Sequence, residues 1–167
     1  MNVTRRNFLA GAGIAATAVL AGCGSSNGSS DGGSASGEKT YKIGVVQLTE
    51  HAALDASNEG FVEAVNASGL SVSIDQQNAQ NDQSACQTIA SKFVGDGVDL
   101  IFAIATPAAQ AAAGATAEIP IVGTAITDFA ASGLVQDNDK PGTNVTGSSD
   151  LTPVAEQLEM MQKVLPD

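Results

Sequence analysis

The chain is short of the residues on which most functional signatures are built. It has no Trp, one Tyr and five Phe, so aromatics reach only 4%. Ala, Gly, Val and Ile must fill the core, as in folds that press helices closely onto a sheet. Two Cys and a single His are too few for a zinc cluster or a Cys-His network. Seven Lys and Arg stand against 18 Asp and Glu, a formal charge of −11. So few basic residues argue against nucleic acid as a partner, because phosphate binding needs a basic face. They also argue against adsorption to an anionic membrane surface through charge alone. There is no Gly-x-Ser-x-Gly, no P-loop and no His near a plausible catalytic partner, so no catalytic residue, metal site or cofactor is predicted. What is present is a chain of 167 residues, 43% hydrophobic and 15% charged. That suits one folded domain with a packed core and not a disordered chain.

The N-terminus reads Thr4-Arg5-Arg6-Asn7-Phe8-Leu9 and continues into an apolar run from Ala10 to Ala21. Two positive charges before a short apolar stretch make a secretory signal. The run is shorter than the ~20 apolar residues a membrane-spanning helix needs. The paired arginines before Phe8-Leu9 resemble a twin-arginine export signal, although general secretion also tolerates an Arg pair. Leu20-Ala21-Gly22-Cys23 resembles the lipobox of bacterial lipoproteins, in which the Cys is diacylated and becomes the new N-terminus. Cleavage there removes Arg5 and Arg6 and no acid, leaving 5 Lys against 18 acids, or −13. The following tract, Gly24 to Gly37, is almost wholly Gly and Ser and behaves as a flexible coil. The expected organisation is a signal peptide over 1–22, a lipidated Cys23 and tether over 23–39, and a folded lobe over 40–167. The whole would be held outside the cytoplasm by a lipid anchor. Cys86 is then left without a partner, and its apolar helical setting predicts a buried small hydrophobe.

From Thr40 onward, strand and helix patterns alternate. Lys42-Ile43-Gly44-Val45-Val46 reads as a strand buried on both faces. Residues 52–68 read as a helix with Leu54, Phe61, Val62 and Val65 on one face and Asp55, Glu59 and Glu63 opposite, stopped by Gly69. Val72, Ile74 and Gln76 mark a more polar strand near a sheet edge. A helix over 82–94 turns Cys86, Ile89, Ala90 and Phe93 inward. Val98 to Ile104 is the most hydrophobic strand and therefore central. Thr106-Pro107 opens an Ala-rich helix to Ala115, with Thr106 as the N-cap. Ile119 to Val122 is a fourth strand, Phe129 to Val135 a short helix and Asn144 to Gly147 a fifth strand. Thr152-Pro153 opens a last amphipathic helix carrying Val154, Leu158, Met161 and Leu165. This alternation predicts an α/β fold: an open parallel sheet with helices on both faces and strand order 2-1-3-4-5.

Ligands of such sheets sit outside the carboxyl ends of the strands, at the switch point between the first and third. Gln47-Leu48-Thr49-Glu50-His51, Ala105-Thr106-Pro107, Thr127-Asp128 and Ser148-Ser149-Asp150 build that edge. It has neither the Gly-rich loop nor the Lys that a phosphate would want. The Thr106 hydroxyl and the N–H groups at the start of its helix suit a carboxylate; the same residue also serves as a plain cap. Asp128 can hold an ammonium group or cap the short helix behind it. The two together would describe an α-amino acid. The candidate ligand residues are Gln47, Leu48, Thr49, Ala105, Thr106 and Asp128. His51 reads as a solvated loop residue, and Ser149 and Asp150 as parts of a hinge.

Three stretches carry a family resemblance: Tyr41 to Gln47, Asp99 to Gln110 and Asn144 to Pro153. They resemble the substrate-binding lipoproteins of ABC importers in the tryptophan/tyrosine-binding family, and the similarity extends from Thr40 to Asp167. It implies one lobe of a type I periplasmic-binding protein, whose two lobes close on a small ligand. The implied ligand is an amino acid, aromatic in the members for which the family is named, and the implied partners are a permease and its ATPase. Two departures lie beside the cleft. Ala52-Ala53-Leu54-Asp55 stands where the family has Pro-Ala-Leu-Asp, and Phe129 stands where Pro follows Thr127-Asp128. The family also runs to about twice this mature length, so Leu165-Pro166-Asp167 falls where the chain is expected to cross into a second lobe. The chain is then expected to be the first lobe only, as a fragment or a truncated product. Two other readings remain at this stage: a tethered sensor or interaction lobe without transport, and a flavodoxin-like enzyme.

Overall fold

The apolar core of the first strand sets the architecture. In a computed structural model describing residues 39–165, Ile43, Gly44, Val45 and Val46 are all buried within β1 (Tyr41–Gln47). The strand lies between two parallel neighbours, β2 (Val72–Asn78) and β3 (Leu100–Ile104). β4 (Ile121–Ile126) and β5 (Val145–Ser149) extend the sheet beyond β3, again in parallel, giving the order β2-β1-β3-β4-β5. This is the predicted order, and the polar β2 takes the edge position that its composition predicts. The expected signal peptide, Cys23 and nearly all of the tether lie outside the described residues.

Side chains alternate across the sheet. Ile43, Val45, Phe102 and Ile104 face α1 (Ala52–Ala67), which returns Leu54, Phe61 and Val65. Phe61 stacks on Phe102 with ring centroids 3.9 Å apart and planes within 6°. On the other face, Val46, Ile101, Ala103 and Ile121 meet α2 (Gln83–Asp96) and α3 (Thr106–Ala115). The alanines of α3 allow that close approach, and Ala108, Ala109 and Ala112 are fully buried. Gly44 makes room for Phe93 of α2, since a Cβ there would sit 2.6 Å from the ring. Cys86 is fully buried, as its setting predicts. Burial, with Asp82 nearby, pushes its thiol pKa up, which keeps it protonated and unreactive.

Several boundaries move. β3 begins at Leu100; just before it the Asp99 carboxylate accepts from Lys39 Nζ at 2.8 Å and from the Lys42 N–H of β1 at 2.9 Å. α2 runs two residues past the expected Val94, to Asp96, before Gly97 at φ 62 reverses the chain. β4 starts at Ile121, after Pro120, and continues through an irregularity between Gly123 and Ile126, where Ala125 has φ 55. β5 likewise lies further on, at Val145–Ser149.

The helix expected over Phe129–Val135 does not form. A single turn stands in its place, closed by Ser132 N–H to Asp128 O at 3.1 Å and Leu134 N–H to Phe129 O at 3.0 Å. Gly133, at φ 71, ends it at once. The Phe129 ring explains why the turn is pinned. Gly123 and Gly147 pair across β4 and β5, and a Cβ on Gly147 would fall 2.0 Å from the Gly123 carbonyl oxygen and 2.7 Å from Phe129. The ring occupies the space that two side chains would have filled. Last in the chain, α4 (Val154–Val164) has the predicted amphipathic pattern but buries none of its residues.

Candidate ligand-binding site

The β3–α3 junction, on the carboxyl edge of the sheet, has an unusual backbone. Ala105 has φ 83 and ψ 154, a region that residues bearing a Cβ occupy only at a cost of about 1–3 kcal/mol. Its N–H bonds to Thr124 O at 3.0 Å, which ties the junction to β4. The expected role of Thr106 as N-cap is not what forms. Ala105 occupies the cap position, no side chain caps the helix, and Thr106 and Pro107 are its first residues. The shift follows from the Ala105 conformation, which turns the chain into the helix one residue early. As a result, the Thr106 hydroxyl is not used as a cap, and the first N–H groups of α3 have no side-chain acceptor. Those groups and the positive end of the helix dipole favour an anion.

Beside this junction lies the end of β1. Leu48 N–H bonds to Ile104 O at 3.2 Å, and Leu48 O accepts from Asn81 N–H at 2.7 Å. Gln47, Leu48, Ala105 and Thr106 therefore meet at the β1/β3 switch point. Leu48, Thr49, Ala105 and Thr106 are half-buried, whereas Gln47 is only 3% exposed. The Gln47 carboxamide is turned inward onto α1. Asp55 is its partner there, so Asp55 does not lie on the solvent face where helical periodicity put it; it accepts from Gln47 Nε2 at 2.6 Å. His51 is exposed but not idle, since its Nδ1 accepts the Ala53 N–H at 3.3 Å and caps α1.

Asp128 sits one strand further along. Its Oδ1 accepts from Ala131 N–H at 3.0 Å and Asn138 Nδ2 at 2.9 Å, and these donors hold its carboxyl below the ordinary aspartate pKa. Asp128, Phe129, Asn138 and Thr146 are among the residues around a cavity of about 280 Å³. Ser149 Oγ donates to Thr127 O, and Asp150 N–H to Ile126 O at 3.1 Å, so the end of β5 is fastened to the end of β4. A larger groove of about 600 Å³ opens between Tyr41, Phe61, Val65 and Leu100. It lies at the amino ends of the strands, whereas ligands of such sheets bind at the carboxyl ends. Among the described residues, no three His, Cys, Asp or Glu side chains gather as metal ligands.

The strain at Ala105 and the contacts of Gln47 escape sequence reading. Asn58 does leave a trace, because it takes the inward place in the series Leu54, Asn58, Phe61 and Val65, spaced by four, three and four.

Comparison with known proteins agrees with this architecture. Residues 42–167 match the family described as ABC transporter substrate binding protein. The tyrosine-binding protein of Clostridioides difficile is 44% identical over 162 residues, covering 93% of this chain and 47% of the relative. A ligand-free, open substrate binding protein with adhesive properties from Clostridium difficile is 53% identical, with a TM-score of 0.70 over 74% of this chain and 43% of its own. An ABC domain from Streptococcus pneumonia in complex with L-Trp is 41% identical, with a TM-score of 0.71 over the same shares of the two chains. The chain spans about half the length of the relatives it matches. Its sheet and helices form one lobe of the type I periplasmic-binding fold, and the chain belongs to the ABC transporter substrate binding protein family.

Proposed function

We propose that this lobe supplies half of an extracytoplasmic amino-acid receptor that serves an ABC permease and its ATPase, with aromatic amino acids as the ligand class. The observation that carries the reading is the start of α3, which no side chain caps, beside the end of β1. There the N–H groups and the Thr106 hydroxyl receive the ligand carboxylate. The Asp128 carboxylate is ionised at neutral pH, and both of its internal bonds end on Oδ1, so Oδ2 is the atom offered to an ammonium group. The aromatic class is supported by the names of relatives at 41–44% identity, one called tyrosine-binding and one in complex with L-Trp. Cys23 carries the lipid anchor, and residues 24–39 are the tether.

In this reading a second lobe completes the site, and closure is a population shift in which contacts to both lobes favour the shut state. The test is calorimetric titration of the protein expressed from its complete reading frame with L-tyrosine, L-tryptophan and L-leucine. Saturable one-to-one binding of an aromatic amino acid supports the proposal. Absence of binding to all three overturns it.

A further inference from the structure

We infer that Gln47 is a positioning residue: its buried carboxamide fixes the Thr49 carbonyl and so holds the β1–α1 loop in shape for the ligand. The inference rests on the reading of that loop as part of the ligand cleft. Burying an uncharged amide costs free energy unless its bonds are made, and here three are. Gln47 Nε2 donates to Thr49 O at 2.8 Å and to Asp55 Oδ1 at 2.6 Å, while its Oε1 accepts from Asn58 Nδ2 at 3.0 Å. Both N–H groups are therefore spent inside the protein. A direct bond from this amide to a ligand would have to break one of them.

The backbone of the same segment is held from two further sides. Ala79 N–H bonds to Gln47 O at 2.8 Å and Asn81 N–H to Leu48 O at 2.7 Å, tying the loop to the end of β2; Leu48 N–H ties it to β3. The Gln47 amide adds the tie to α1. It is the one that reaches Thr49, two residues past the strand, where the sheet ladder can no longer impose a conformation.

The network is also one donor short. Among the described residues, no side chain or backbone group donates to the buried Asn58 Oδ1, a deficit of the kind that calls for an explanation.

Two variants separate positioning from mere packing. In Gln47→Glu the shape is kept, but the new carboxyl faces Asp55, with Glu50 on the same small cavity and no Lys or Arg lining it. Two carboxylates so close cannot both ionise easily, so the new group binds its proton well above the usual range. As pH rises and that proton leaves, neither Thr49 O nor Asp55 has a donor. Adding Asp55→Asn removes the repulsion and returns a donor between the two side chains, yet still leaves Thr49 O without one.

Ligand-free hydrogen exchange of the Leu48, Thr49 and Glu50 amides, thermal midpoints and L-tyrosine and L-tryptophan titrations are then compared from pH 5 to 8. The expected result for Gln47→Glu is loop exchange about tenfold faster than wild type at pH 8, and affinity about fivefold to tenfold weaker there, the scale of one lost hydrogen bond. For the double variant the midpoint returns to that of wild type while loop exchange and affinity do not. Return of all three overturns the inference, as does unchanged loop exchange in Gln47→Glu at pH 8. If wild type binds neither amino acid, the receptor reading fails by that titration alone, while the exchange data still report on the Thr49 anchor.

Discussion

At the scale of single residues, the proposed amino-acid site rests on Thr106 and Asp128, and their internal bonds separate stability from binding. Thr106 makes no capping bond, so Thr106→Val should leave the thermal midpoint nearly unchanged. In the protein from the complete reading frame it should weaken amino-acid binding by about 1–2 kcal/mol, the worth of a hydroxyl donated to a charged group. Calorimetry beside a melting curve checks both, and unchanged affinity would remove the hydroxyl from the site. Asp128 gives a pH signature. The Ala131 N–H and then the Asn138 amide lower its pKa in the folded state below that of an ordinary aspartate. A lowered folded pKa means stability that is present above the unfolded value and lost as pH falls through the folded one. The difference in thermal midpoint between wild type and Asp128→Asn should therefore be constant from pH 7 to about 5. It should shrink as pH drops below that, and a gap that persists at pH 2 would show that the bonds do not depend on the charge. Thr106 also shows where residue-level reading stops. A Thr-Pro pair is a sound signal for a helix start, but its register depended on the backbone of Ala105, which has no sequence signature. Gln47 was legible as an edge residue, whereas its partners eight and eleven positions on could be found only once α1 had docked.

At the scale of elements, the strand order was readable because apolar content falls outward from β1 and β3, and burial on both faces demands that gradient. The turn after Asp128 was not readable as one. The run from Phe129 to Val135 reads as a short helix, yet Phe129, Leu134 and Val135 are buried around a single turn that Gly133 cuts short. What holds this turn is the pair of glycines beneath Phe129. Gly147→Ala puts a methyl against the Gly123 carbonyl oxygen, a rigid backbone atom that cannot move aside as a side-chain end would. The β4–β5 pairing must open or shift, and overpacking of this kind costs about 1–3 kcal/mol or more. Urea denaturation should show the unfolding free energy falling by that amount, through a lower midpoint at an unchanged slope. Because Thr127 and Asp128 hang from the same pairing through Ser149 and Asp150, ligand affinity should fall in the same variant. A variant that keeps full stability would mean that Phe129 can leave the glycine groove without loss.

At the scale of the whole molecule, α4 is the element without a partner among the described residues. Val154, Leu158, Met161 and Leu165 repeat at intervals of four, three and four, the pattern of a helix with one face made for burial. Here they are 56%, 55%, 58% and 71% exposed. Fully burying side chains of this kind stabilises by roughly 1.5–3 kcal/mol each, so the stripe is a strong drive toward association in the 167-residue chain. The formal charge of −11 opposes close approach of copies, but exposed charges separated by more than about 8 Å are largely screened at physiological salt. Purified as it stands, the chain should self-associate through α4, and more so as salt rises. Replacing Leu158 and Met161 together by Glu should abolish association without lowering the thermal midpoint, because neither side chain is buried in the fold. Sedimentation velocity at low and high salt, paired with a melting curve, reads both. A midpoint that falls with the double substitution would mean that α4 packs on its own sheet in solution. If association survives instead, it must run through another surface, with the apolar groove beside Phe61 and Leu100 the next to substitute.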